Sequence, residues 1–404
     1  MRKFITLALC AAAIGSVSAQ KQNVESAKKL AGKVDKIAEA RALINEAMQN
    51  SETANQPLTY YVAGKIEFDA YDVDNVKSQT VANAKVDSVA MGRELINGYY
   101  NMLKALPLDS LPDEKGKIKP KYSKDIAKAF NTHLNDYFNS GAYFFNEKMF
   151  YPEAYESFYI FGEIPTLDVM KAAPVTVDPV FPPLAYFNAG LAAYSANEVA
   201  KAAEAFRKSR LAGSDDPNAY IYEIASLQTL MQRDSTMTDA CNAAIFETAK
   251  AGYDKFGAEQ PLFINNMLNY LISNGKSNEG LAMLNEEIEK HPDNGMLYGL
   301  RAYAYDRDGN NEASEADYRK AASMDNVDFE TLRFAAMKLY RLGTEKLNAI
   351  EGRGAEQEAA RQAIKKDYFE EAKAICEKAL AEKPGDADIL NVLDNVNYAL
   401  ETYF

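Results

Sequence analysis

Catalysis in a chain of this kind normally needs a histidine, a thiolate or paired carboxylates held together, and the first two are scarce. The sequence contains 2 histidines and 3 cysteines in 404 residues. His133 stands in a helical pattern among polar neighbours, and His291 directly precedes Pro292 at a corner between helices. Cys10 belongs to the apolar N-terminal run, while Cys241 and Cys376 lie far apart in helical patterns. Each of the latter reads as a small buried apolar side chain and not as a nucleophile or half of a disulfide. A metal site built from imidazole or thiolate would lack ligands. No Walker-type phosphate loop, dinucleotide fingerprint or Gly-x-Ser-x-Gly elbow is present. Acidic pairs such as Glu286-Glu287 and Glu370-Glu371 are frequent, but on amphipathic helices such pairs make solvated faces. The expectation is a protein that is not an enzyme and uses no cofactor and no metal.

Binding chemistry is better represented. There are 25 tyrosines and no tryptophan, and tyrosine with arginine often dominates the energy of protein interfaces. Asparagine offers a donor and an acceptor together, which suits it to pair with a peptide backbone. Whether these residues bind anything depends on the elements that carry them.

Those elements are helices. Apolar residues recur every three to four positions, as in 27–48, 199–211 and 359–380, and no sustained alternation marks a hairpin of strands. Pro57, Pro107, Pro112, Pro165, Pro217, Pro261, Pro292 and Pro384 are expected between helices, where a missing amide does no harm. The first 19 residues have the three parts of a secretory signal peptide: Arg2 and Lys3, an apolar run over 4–17, and small residues ending at Ala19. That run is too short to span a bilayer. Leu9 before Cys10 disfavours lipoprotein processing. Loss of Arg2 and Lys3 takes the formal charge from −13 to −15, which argues against nucleic acid and anionic lipid surfaces as partners. After the signal the sequence predicts an N-terminal helical region with degenerate repeats (20–172), a Pro-rich joint (173–183) and a regular helical array (184–404).

The regular array has a measurable rhythm. Gly275, Gly309 and Gly343 are 34 residues apart, as are Leu268, Ala302 and Ala336, and Leu271, Tyr305 and Leu339. The clearest unit, 295–328, places Tyr298, Ala302 and Tyr305 on one helix, Gly309 at a turn, and Ser314, Tyr318 and Ala321 on a second helix. Tyr186, Gly190, Ala193, Ala202, Phe206 and Ser209 repeat that spacing. So do Phe138, Ala142, Phe145, Ala154, Phe158 and Phe161. In the unit from Pro261, Gly280 and Leu284 fill the small and large places, with Glu287 out of pattern. The last unit is interrupted by an insertion at about 344–367 that contains Glu351-Gly352-Arg353-Gly354, and a closing helix over 388–403 caps the array. The alternation of large and small residues resembles the tetratricopeptide repeat. Over 135–404 that resemblance implies an all-α, right-handed superhelical solenoid of antiparallel helix pairs, with a less regular helical N-terminal part.

It further implies that the first helix of each pair lines a concave groove. By register these positions are Asn139 and Tyr143, then Phe187, Leu191 and Tyr194, then Tyr222, Asn265, Asn269, Tyr303, Arg333 and Tyr340. Asn265 stands where a carboxylate clamp would need lysine. The expected partner is a protein or peptide, held by an exported, periplasmic or outer-membrane scaffold. A glycan-binding protein and a structural assembly factor for envelope machinery are the alternatives. Mass spectrometry of the protein isolated from a bacterial envelope should find a chain that begins at Gln20.

Overall fold

The computed structural model describes residues 21–404 apart from Glu114, Ala258, Glu259 and Arg353. The expected signal segment 1–19, and Arg353 of the 351–354 turn, lie outside the described residues. Every regular element among them is helical; one isolated bridge, Pro112 to Ile118, closes a loop. The chain forms two compact units, one ending at Ala244 and one comprising Ile245–Phe404. No helix among the described residues is long and apolar enough to cross a membrane.

The first unit opens with α1 (21–30) and α2 (Ile37–Gln49), followed by the long hairpin α3 (Pro57–Thr80) and α4 (Ser88–Asp109). Then come α5 (Ser123–Asn146), α6 (Tyr151–Glu163), α7 (Phe181–Ser195), α8 (Val199–Leu211) and α9 (Pro217–Arg233), each packed on the next. The division between units falls within α10 (Thr238–Phe256). The second unit continues with α11 (Pro261–Ser273), α12 (Ser277–Lys290), α13 (Gly295–Arg307), α14 (Asn311–Ala322) and α15 (Phe329–Asn348). It closes with α16 (Ala355–Ile364), α17 (Glu371–Glu382) and α18 (Ala387–Thr402).

The helix boundaries follow local chemistry. Pro57, Pro217 and Pro261 occupy first-turn positions that need no amide donor. The carboxylates of Asp87, Asp216, Asp328 and Asp386 and the amide oxygens of Asn294 and Asn310 accept from backbone N–H groups of the first turn. At the ends of α11 and α13 the chain turns through Gly275 and Gly309 at φ +70° and +77°. There the following N–H groups reach back to Leu271 (2.8 Å) and Tyr305 (2.9 Å), a bond pattern that needs the left-handed conformation glycine adopts without strain.

Rings over missing Cβ atoms hold the pairs together. A Cβ added at Gly141 would meet the Phe158 ring at 2.8 Å, one at Gly162 the Tyr186 ring at 2.6 Å, and one at Gly190 the Phe206 ring at 2.6 Å. In the α3–α4 hairpin Gly98 lies under Phe68, and in the second unit Gly252 lies under Phe263. Each large side chain fills space that only a glycine leaves, the condition for close helix approach.

Several sequence expectations change. From Tyr137 onward in α5 the buried residues are Tyr137, Gly141 and Phe144, while Phe138, Ala142 and Phe145 are half-buried. The repeat phase there is one residue earlier because four residues (147–150) separate α5 from α6, against three (196–198) between α7 and α8. Pro107 lies inside α4, two residues from its end, where the lost bond falls in the final turn. Unlike Gly275 and Gly309, Gly343 lies within its helix, as expected: α15 continues five residues beyond it, and its bare Cα faces Tyr368 and Phe369. The insertion is helical over α16, which runs through a π-helical stretch, Lys365–Glu370, into α17, and α17 packs against α15. The Pro-rich segment 173–183 lies within the first unit, and α6 and α7 pack together across it. Ser209, a polar residue at a small-residue place, and Glu287, out of pattern in sequence, are both satisfied in place. Ser209 Oγ donates to the Pro183 carbonyl at 2.8 Å, and Glu287 accepts from Lys290 Nζ at 2.7 Å and from the Tyr253 hydroxyl.

Two outcomes follow. Gly190→Ala gains about 1 kcal/mol of helix propensity but drives a methyl into the Phe206 ring, so denaturant titration should show a net loss of about 1–2 kcal/mol. Adding Phe206→Ala should cost less than the two single losses together, because the methyl enters vacated space. Separately, Cys241 and Cys376 are both buried, and burial pushes the Cys376 thiol up to about 11. A disulfide exchange reagent at pH 8 should therefore react with these two thiols quickly only after denaturation.

Candidate functional site

The first helices of successive pairs in the second unit lie side by side: α11 beside α13, α13 beside α15, and α15 beside α18. Their close approach again depends on glycine. At Gly299 a Cβ would fall 2.3 Å from Thr331 Oγ1, and the Gly295 N–H donates to the Asn326 carbonyl at 2.8 Å. Thr331 is itself fixed, because Asp328 accepts both its N–H (3.0 Å) and its hydroxyl (2.7 Å).

Between these helices lies a cleft of about 380 Å³. Asn265, Leu268 and Asn269 of α11 form one wall, Gly299, Leu300 and Tyr303 of α13 the floor, and Glu330, Thr331 and Phe334 of α15 the other wall. Asn265 and Asn269, one helical turn apart, have their side-chain amides engaged by no other described residue. The Tyr303 and Phe334 rings stand 6.2 Å apart. Phe334 also borders a second cleft of about 410 Å³ between α15 and α18, where it is joined by Met337, Tyr340, Arg341, Asn391 and Asn395. Phe334 is 37% exposed and Met337 41% exposed, so both offer apolar surface that the fold itself does not cover.

Charge is confined to the rim and the base. Arg333 donates to Glu330 (2.6 and 2.9 Å) and to Asp388 (3.1 Å), and its guanidinium lies 4.7 Å from the Phe334 ring centre. Its bond to Glu330 raises its pKa further, and its charge is spent within the protein. Lys338 is buried beneath the groove, bonded to Asp306 and to Asn311. Burial raises the pKa of the Tyr318 phenol at the base of the second cleft, so it stays neutral. The arrangement offers rings, an apolar floor and unengaged amides. Among the described residues, no group of three or more His, Cys, Asp or Glu side chains is placed to hold a metal ion. His133, expected among polar neighbours, is buried with its ring stacked on Phe68 at 4.5 Å and its Nδ1 3.5 Å from Asp136; His291 is exposed.

Of the expected binding residues, Asn265, Asn269 and Tyr303 meet in the first cleft, and Tyr340 borders the second. Arg333 serves as a clamp at the edge. In the first unit, Phe187 and Tyr222 lie 6.0 Å apart, Leu191 is half-buried and Tyr194 is exposed. Asn139 lines a separate cleft along α5, whereas Tyr143 is exposed against Phe144 and lines none of the clefts described. Phe334, Met337 and Leu300 were missed, although the repeat could have found them: Met337 is 34 residues after Tyr303, and Phe334 is 34 after Leu300.

No protein-family model matches the chain, and no curated protein does. Among solved structures it is similar to the tetratricopeptide domain of P58(IPK), at 12% identity over 95% of this chain and 98% of that one, with a TM-score of 0.27. It is also similar to a structure of Naa15/Naa10 bound to HypK-THB, at 14% identity over 95% of this chain and 56% of that one (TM-score 0.31). A third is the C-terminal part of a tetratricopeptide repeat-containing protein from Cytophaga hutchinsonii, at 16% identity over 76% and 98% (TM-score 0.25). Overlaps of this size carry no functional argument; the solved structures that the chain resembles include tetratricopeptide-repeat proteins.

Proposed function

We propose that the protein is an exported, non-catalytic scaffold of the bacterial cell envelope that holds a segment of another polypeptide in the groove formed by α11, α13, α15 and α18. The observation that carries this reading is the company kept by Phe334. An exposed ring is shared by two clefts, pinned from one side by an arginine whose charge is already paired, and faced across the floor by two unengaged asparagine amides. Aromatic and apolar anchors surrounded by backbone-pairing amides suit a peptide or a partner helix, and they offer nothing to polarise or protonate a substrate. The N-terminal pattern of the sequence supports export.

A photo-crosslinking amino acid placed at Phe334 in intact cells should form adducts with one or a few polypeptides. The triple substitution Asn269→Ala, Tyr303→Ala and Met337→Ala should reduce that yield about tenfold or more, since it removes a ring, an apolar contact and a hydrogen-bonding amide. Unchanged yield from a triple variant with an intact helical spectrum would defeat the proposal.

A further inference from the structure

A further cleft lies in the first unit, and the repeats along its two walls nearly match. Along α5, Asn131, Asn135 and Asn139 are exposed at four-residue intervals, and all three line a cleft of about 380 Å³. None of their side-chain amides is engaged by another described residue. Helix geometry places them about 6 Å apart along the axis, at 1.5 Å per residue.

The opposite wall is the segment 174–178, which has no helical structure. Its burial alternates: Val175 and Val177 are half-buried against the core, while Pro174, Thr176 and Asp178 are exposed. Alternation with a period of two is the signature of extended backbone lying on a surface. The main-chain N–H and C=O groups of 175–177 have no hydrogen-bond partner among the described residues. These groups leave an open backbone edge, and extended backbone repeats every two residues at about 6.6–6.8 Å. Phe138, Phe161 and Phe181 form the base, with Phe138 5.3 Å from Phe161 and 5.8 Å from Phe181.

We infer that this cleft takes an extended polypeptide segment that pairs as an added strand with 174–178 while its other edge is read by the asparagine stripe. Each Asn can give and accept one hydrogen bond with every second residue of such a segment, because the two repeats nearly match. A charge pattern sets the chemistry of the occupant. One and two turns before Asn131 the same face of α5 carries Lys128 and Lys124, both exposed and without an ion-pair partner among the described residues, while Asp178 marks the opposite wall. The segment therefore carries acidic side chains at the end that lies over the start of α5. This site is separate from the groove of the second unit and does not rest on it.

The test is a phage-displayed library of random linear peptides panned on the full chain carrying Asn269→Ala, Tyr303→Ala and Phe334→Ala, so that the second-unit groove supplies no clones. Enriched peptides, labelled and titrated by fluorescence anisotropy, should carry Asp or Glu toward one end. Their affinity should fall about tenfold or more on Asn131→Ala/Asn135→Ala/Asn139→Ala, since each asparagine can supply two of the hydrogen bonds lost. Thr176→Pro should do the same, because it removes an edge N–H at a position whose predecessor is already extended. Thr176→Ala keeps that N–H and should leave binding within about twofold. Amide exchange at 175–177 should slow when peptide is bound. Absence of enriched clones, or clones indifferent to both the asparagine and the proline variants, would overturn the inference. So would oligosaccharide binding on a glycan array that depends on the asparagines but survives Thr176→Pro, since sugar recognition needs no open strand edge.

Discussion

The structure depends on close approach between helices, and that approach depends on rings set against glycine. Phe158 over Gly141, Tyr186 over Gly162 and Phe206 over Gly190 repeat one contact along consecutive pairs of the first unit. A Cβ at any of these glycines would force the helices apart or turn the ring out of its place. The second unit obtains the same closeness with a wider choice of partners: Phe263 over Gly252, Leu268 over Gly280, and Thr331 over Gly299. Where the knob shrinks from phenylalanine to threonine, the start of α13 also bonds the connection that leads into α15, Gly295 N–H to Asn326 C=O.

Polar residues inside this apolar frame are tied down individually. Arg210 bonds Glu223 at 2.7 and 3.1 Å, Arg301 grips Asp317 at 2.7 and 2.9 Å, and Arg41 spans Glu67 and Glu94 across α2, α3 and α4. Each pair joins different helices, so it fixes their rotation as well as their separation; burying a charge unpaired would cost several kcal/mol. Asp109 does similar work for a loop. Its carboxylate accepts from the N–H groups of Lys121, Tyr122 and Ser123 and from the Ser123 hydroxyl, which fastens the end of α4 to the beginning of α5.

How far the sequence could be read differs between architecture and site for a physical reason. Helix identity and the pairing of Gly190 with Phe206 were legible because propensity and periodicity are local. Asn265, Asn269 and Tyr303 could be brought together because the 34-residue phase holds from α11 to α15. Arg333, expected along the groove, is paired with Glu330 one turn away and with Asp388, 55 residues away, and that second partner is beyond what local sequence shows. Asn131 and Asn135 escaped notice because the wall that makes them a site, 174–178, belongs to a loop whose path no repeat dictates. His133 looked polar by its neighbours in sequence and is buried by Phe68 and Tyr71, both from α3.

The four-residue connection between α5 and α6, which passes through Lys148 at φ +55°, has a consequence beyond its own geometry. One additional residue in a turn advances the angular phase of a helix by about 100° relative to its neighbour. The core adapts by choosing another set of inward residues, Tyr137, Gly141 and Phe144, and the outward face is exchanged in the same stroke. Phe138 and the asparagines thereby come to front the cleft. In a stacked-helix protein, then, altering the length of a connection is a route to new surface chemistry that leaves every framework contact of the same kind in place.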